Sequence, residues 1–114
     1  MVHLEPSEWK AIQSGMRKVV ESKYYFNDIG VTVAGKTGTA EENKNRANHA
    51  LFVGFAPYEE PEISIATRIA YGYTSTYAAQ LSKDVIRYYY ELASEEELIT
   101  GTAIKMTDST AVTD

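Results

Sequence analysis

Three clusters of residues in this chain have types and spacings that chemistry could use. Lys36-Thr37-Gly38-Thr39-Ala40 sets a fixed positive charge beside two hydroxyls, with a glycine between them. A lysine ammonium attracts a carboxylate, threonine hydroxyls add neutral hydrogen bonds, and the glycine lets an extended ligand lie against the strand. A backbone N–H on such an edge also stabilises the oxyanion of acyl transfer. On a strand, Lys36, Gly38 and Ala40 share one side and Thr37 and Thr39 the other, unless a bulge intervenes. The second cluster, Ser7-Glu8-Trp9-Lys10, spaces a serine and a lysine one helical turn apart, as a nucleophile and its base would require. Ser7 falls in the first turn of an expected helix, where its hydroxyl satisfies free backbone N–H groups instead. The third, Gly30 to Thr37, fits the phosphate-cradling expression G-x-x-x-x-G-K-[ST]. That loop needs a buried strand before its first glycine and a helix starting at the lysine. Lys23 to Asp28 is no such strand, and a polar turn rather than a helix follows Thr39. Nucleotide binding therefore ranks last.

Composition narrows the field further. The 114 residues make one domain's worth of chain, enough to bury roughly two-thirds of the surface of the extended form. Hydrophobic residues at 44% and charged residues at 24% give an ordinary globular balance. A net charge of −5 argues against a nucleic-acid or anionic-membrane surface. With no cysteine, disulfides, thiol catalysis and cysteine zinc sites are excluded. His3 and His49 are too few for a histidine-rich metal site, and no metal or cofactor is expected. No apolar run approaches the ~20 residues of a bilayer span, and the N-terminus lacks a signal-peptide pattern.

The elements that must position these residues follow from periodicity. Residues 3–23 read as an amphipathic helix with Trp9, Ile12, Met16, Val19 and Val20 on one stripe. Pro6 and Glu8 suit its first turn, and Gly15 is its weak point. A loop over 24–30 leads to a β-branched strand at 31–41, whose glycines at 35 and 38 mark a bulge or a close approach to the backbone. The polar connection 42–48 precedes a mostly buried strand at 49–57. In the strand expected at 62–71, Ile63, Ile65, Thr67 and Ile69 alternate with Ser64, Ala66, Arg68 and Ala70. A second helix is expected from Thr74 to Leu92, capped by Ser75 or Thr76. Its apolar stripe would be Ala78, Leu81, Val85, Tyr88 or Tyr89, and Leu92. Residues 94–114 read as a flexible tail with an extra turn at Ser94–Leu98. The fold class is α+β: an antiparallel three-stranded sheet flanked by N- and C-terminal helices.

Two adjoining signatures carry a resemblance. The run from Val33 to Pro57 contains Lys36-Thr37-Gly38-Thr39-Ala40 and then Leu51-Phe52-Val53-Gly54-Phe55-Ala56-Pro57. Together they resemble the end of the transpeptidase domain of penicillin-binding proteins, particularly the class B type, over roughly residues 4–92. The resemblance implies a serine D,D-transpeptidase that cross-links peptidoglycan, with a five-stranded sheet of which this chain holds three strands. It implies that Lys36 organises the site and attracts the terminal carboxylate of a D-Ala-D-Ala stem peptide or a β-lactam. Thr37 and Thr39 would bind that carboxylate, the backbone N–H of Thr39 would be an oxyanion donor, and Gly38 would leave room for the acyl group. Phe52, Gly54 and Phe55 look structural. Residues 1–93 would be the C-terminal portion of the domain, whose full-length parent works on the extracytoplasmic side, held by a membrane anchor outside this chain.

The departures are as informative. The family's S-x-x-K and S-x-N motifs lie far upstream of its K-T-G. Ser7 to Lys10 sits in the helix before the strand, no S-x-N occurs, and Tyr25-Phe26-Asn27, a Y-x-N variant, falls in a turn-like segment. The nucleophile is therefore absent, and the chain alone is expected to be inactive. The strand at 62–71 would be left with a bare edge, open to pairing with a second copy or with the missing portion. The alternative from another class is a non-catalytic module that binds a carboxylate-terminated peptide or serves assembly.

Overall fold

The computed structural model describes residues 2–23, 26, 27 and 29–92. Its elements in chain order are α1 (Pro6–Glu21), β1 (Ala34–Ala40), β2 (His49–Ala56), β3 (Ile63–Ile69) and α2 (Ser75–Tyr89). The expected α+β architecture holds, with the elements one to three residues shorter at their ends, except that β2 begins at His49 as expected. The tail expected at 94–114 lies outside the described residues.

The strands form an antiparallel sheet in the order β1-β2-β3. Between β1 and β2 the register runs unbroken from Ala34 opposite Phe55 to Ala40 opposite His49, so no bulge interrupts the lysine strand. Residues directly opposite in such a ladder point to the same face. One face therefore gathers Thr37 and Thr39 of β1, Ala50, Phe52 and Ala56 of β2, and Ile63, Ile65, Thr67 and Ile69 of β3. Both helices cover this face. Val20 from α1 and Ala78, Ala79 and Ile86 from α2 join Val33, Ala50, Phe52 and Ala56 in one core, closed by Phe26 and Ile29 of the first connection. The opposite face carries Lys36, Gly38, Leu51, Val53, Ala66 and Arg68 with nothing described over it, and Val53 is 48% exposed.

Phe52 is the centre of the core at 1% exposure. Its ring stacks on Phe26 at 5.4 Å and lies over Gly35 and Gly54, which face each other across β1 and β2. A Cβ on Gly35 would stand 2.4 Å from the Phe52 ring and 2.7 Å from the Val53 carbonyl; one on Gly54 would stand 2.8 Å from the Ala34 carbonyl. The two glycines thus let the largest core side chain lie flat on the sheet.

Three expectations need correction. Ser7 does lie in the first turn of α1, but the free N–H groups there are taken by the box of Glu5 and Glu8, with the Glu5 N–H held by the Glu8 carboxylate at 2.8 Å. The second helix is capped by Thr74, whose hydroxyl accepts the Thr76 N–H, in place of Ser75 or Thr76. The buried face of α2 also differs from the expected stripe. Ala78 is buried as expected, but its companions are Ala79, Ser82 and Ile86, whereas Leu81, Val85, Tyr88, Tyr89 and Leu92 are 43–57% exposed. Ser82 explains the difference. Its hydroxyl donates to the Ala78 carbonyl and pairs with the Thr67 hydroxyl, each at 2.7 Å, so a polar residue sits satisfied where the sheet offers a polar partner. In α1 the stripe is covered only near its end: Val20 is buried, while Trp9 and Ile12 remain 41% and 47% exposed.

Candidate functional site

Lys36, Thr37, Gly38 and Thr39 all lie on β1, an edge strand among the described residues. Alternation divides them, Lys36 and Gly38 to the bare face and Thr37 and Thr39 to the helix face. What unites them is the edge itself. The Thr37 carbonyl takes a hydrogen bond from Lys36 Nζ at 2.6 Å, so that carbonyl is turned away from β2. Backbone groups of alternate residues share a direction in an antiparallel strand, which sends the Thr39 N–H and C=O outward with those of Thr37. An extended molecule laid along β1 would meet the lysine ammonium, the threonine hydroxyls and the outward N–H groups together.

Gly38 differs from the two core glycines. A Cβ there would find only Leu51, at 3.5 Å and 3.8 Å, which is ordinary contact. Among the described residues nothing requires glycine at this position. Lys36 and Thr39 are exposed; Thr37 and Gly38 are half-buried.

The two ends of the lysine strand are tied down by residues that the sequence motifs did not single out. Before β1, Arg17 of α1 donates through Nη1 to the Val33 carbonyl at 2.7 Å and pairs with Glu21 at 3.3 Å. The Thr32 hydroxyl bonds to Glu59, which holds that carboxyl below its ordinary value, and accepts the Tyr58 N–H at 3.0 Å. After β1, His49 stands opposite Ala40. Its Nδ1 accepts the Tyr71 N–H at 3.1 Å, which places the ring proton on Nε2, where it is donated to Glu42 at 2.5 Å. This bond lowers the Glu42 carboxyl from its ordinary value. The His49 ring also packs on Tyr71 at 4.7 Å, and Arg46 lies over the tyrosine ring and donates to its hydroxyl. Tyr71 and Tyr73 both have positive φ, and their N–H groups are held by His49 and by the Asn48 carbonyl. The hairpin register was the available clue: residues folded back across the connection 41–48 must meet.

The other sequence patterns do not assemble. Ser7 and Lys10 are exposed at the start of α1, and no hydrogen bond joins either to Lys36 among the described residues, where Lys36 Nζ bonds to the Thr37 carbonyl. Gly30 occupies a turn with φ of 75°, and the chain runs through Lys36 and Thr37 as strand rather than entering a helix, so the phosphate-cradling expression lacks its geometry. Tyr25 lies outside the described residues, while Phe26 of the same triplet is a core side chain.

Residues 2–88 match the model of the penicillin-binding protein transpeptidase domain. The chain is 36% identical over 92 residues to the peptidoglycan D,D-transpeptidase MrdA of Acinetobacter baumannii, covering 68% of this chain and 13% of that protein. MrdA of Haemophilus influenzae is 33% identical over 101 residues, covering 71% and 16%. Penicillin-binding protein A of M. tuberculosis, solved as its imipenem acyl-enzyme complex, superposes with a TM-score of 0.68 at 26% identity, over 76% of this chain and 20% of that one. The chain belongs to the penicillin-binding protein transpeptidase family, of the class B type, and spans a small part of the length of these relatives. Among the described residues no helix is long and apolar enough to cross a membrane.

Proposed function

We propose that this chain furnishes the lysine-strand wall of a D,D-transpeptidase site used in peptidoglycan cross-linking, with the nucleophile supplied from elsewhere. The observation that carries this reading is the edge of β1, open among the described residues, where Lys36, the outward Thr39 N–H and the space at Gly38 border one another. Lys36 attracts the carboxylate of a D-Ala-D-Ala stem peptide or a β-lactam, and the hydroxyls of Thr37 and Thr39 hydrogen-bond it. When a serine from the rest of the site attacks the scissile carbonyl, its oxygen becomes an oxyanion, and the Thr39 N–H is placed to donate to it. Gly38 leaves the acyl group room against the strand. The Glu42–His49–Tyr71 ties keep the far end of β1 in register, so the donor stays fixed.

A chain holding this wall without a serine positioned beside Lys36 forms no acyl-enzyme by itself. Fluorescent penicillin therefore leaves it unlabelled after denaturing electrophoresis; a covalent band would overturn the assignment of the nucleophile. Non-covalent recognition is read by NMR titration with N-acetyl-D-Ala-D-Ala. Shifts confined to residues 36–39 and abolished by Lys36→Ala support the wall, and unmoved amides there count against it. Should the peptide bind tightly without any upstream portion, the non-catalytic peptide-binding reading would take precedence.

A further inference from the structure

Thr39 stands one residue from the end of the sheet ladder. Alternation turns its N–H outward, so its neighbours hold it: Gly38 opposite Leu51 before it, and Ala40 opposite His49 after it. Beyond that last pair β1 ends, and strand ends are where ladders open first. His49 closes this end twice, with its backbone across from Ala40 and with a side chain on a residue only 7% exposed. Its Nε2 donates at 2.5 Å to Glu42, just past the strand, and its Nδ1 accepts the Tyr71 N–H at 3.1 Å. The imidazole thus joins the chain leaving β1 to the turn between β3 and α2. That turn is a firm anchor. Tyr71 and Tyr73 hold φ of 53° and 74°, and the Tyr73 N–H is taken by the Asn48 carbonyl at 2.9 Å. Gly72 between them is seated so closely that a Cβ would stand 2.8 Å from the Ile69 side chain and 3.0 Å from the Ala50 Cβ. Ala50 is the residue directly opposite Thr39. The turn therefore backs the lysine strand through Ala50 and grips its end through His49.

We propose that His49 is a positioning residue for the β1 edge, working as the neutral ring protonated at Nε2, and that a second ring proton unlatches the end of the strand. The proposal rests on the reading of Thr39 as the oxyanion donor. In the neutral ring Nδ1 has one lone pair, and the Tyr71 N–H occupies it. A proton arriving there sets two N–H groups against each other, so the Tyr71 bond must open. The bond to Glu42 loses nothing in this exchange, because Nε2 donates in both states and gains charge. Glu42 stays ionised to meet it, since its carboxyl lies below the ordinary value, chiefly through the His49 bond. The other charged groups here are Arg46, which lies over Tyr71 and donates to its hydroxyl, and Arg68 of β3, which helps to hold the Glu42 charge. Both are cations in either state of the ring. The protonated imidazole accordingly stays with the chain leaving β1 and lets go of the anchored turn. Ala40 is then left to its ladder bonds, and the Thr39 N–H loses its fixed aim.

NMR on the full, nitrogen-labelled chain is the test. At about pH 8 the His49 ring should show an acceptor Nδ1 and a protonated Nε2. On titration to about pH 5, the Tyr71 and Thr39 amide shifts should move with the midpoint of the His49 ring, while the Gly35 amide stays still. His49→Asn sets an acceptor oxygen near the Nδ1 position and carries no titrating ring. Its Tyr71 and Thr39 amides should keep their places and lose the pH response. His49→Phe fills the volume without either bond, and deuterium should then enter at the ladder-bonded Ala40 amide at least about tenfold faster. A Thr39 amide that ignores the His49 midpoint, or a His49→Asn chain that still follows the wild-type pH profile, would overturn the inference. Titrating N-acetyl-D-Ala-D-Ala on both sides of the midpoint keeps the two readings apart, and weaker binding on the acid side is expected. If the Thr39 amide follows the ring but the peptide binds at neither pH, the positioning role stands and the site reading fails. If the peptide binds equally at both, the site reading stands and the positioning role fails.

Discussion

Gly35 and Gly38 lie on the same strand, three residues apart and so on opposite faces of the sheet, and their surroundings differ accordingly. Gly35 is packed under the Phe52 ring and against the Val53 carbonyl, so its missing side chain is demanded from within. Gly38 meets only Leu51 at ordinary distance, so its missing side chain is not demanded by anything among the described residues. The same residue type therefore marks packing at one position and open space for a ligand at the other. The strand divides accordingly, with a buried half at Ala34 and Gly35 that fixes the sheet and an open half from Lys36 to Thr39 that presents chemistry.

The division can be broken most forcefully at its centre. Phe52→Ala removes the ring that both core glycines accommodate and should cost about 3–5 kcal/mol in urea unfolding, the range for aromatic truncation in a core. Gly54→Ala places a Cβ 2.8 Å from the Ala34 carbonyl, a backbone atom that cannot swing aside. A loss of about 1–3 kcal/mol is expected by the same measurement. Gly38→Ala should move stability by under about 0.5 kcal/mol while weakening N-acetyl-D-Ala-D-Ala binding in the NMR titration. If Gly38→Ala destabilised as much as Gly54→Ala, the distinction between the two halves would fail.

The smallest effect concerns the tie beyond the open half. The Glu42 carboxyl is lowered in the folded chain, chiefly by its hydrogen bond from His49. Its stabilisation is thus present above the unfolded value near 4.5 and is lost as pH falls through the lower folded value. Urea midpoints of the wild type and Glu42→Gln should separate modestly above that window and converge below it. Curves that stay parallel down to low pH would show that the tie contributes nothing.

Much of this fold was legible because its signals were local and redundant. The alternation at 63–69 and the paired Lys-Thr-Gly-Thr-Ala and Phe-Val-Gly-Phe-Ala-Pro runs marked three successive strands of an antiparallel meander, and the structure adds their register. The α2 face was misread because hydropathy treats serine as outward. Ser82 turns inward only because Thr67, fifteen residues away on β3, offers a hydroxyl at the right place. The cap at Thr74 and the His49 tie were hidden for the same reason, since Tyr71 reaches His49 through an unusual backbone conformation that no propensity encodes. For the site, residue types and strand alternation were readable in advance. The difference between Gly35 and Gly38 required knowing where Phe52 lies.

The outward turn of alternate peptide groups on β1 also sets a rhythm in time. Gly38 gives its N–H to the ladder with β2, whereas those of Thr37 and Thr39 face water. Deuterium should therefore enter this strand at every second position, quickly beside slowly, within a segment only seven residues long. A molecule laid along the edge would silence the fast positions and leave the slow ones as they were, so the strand carries its own internal clock against which occupancy can be read.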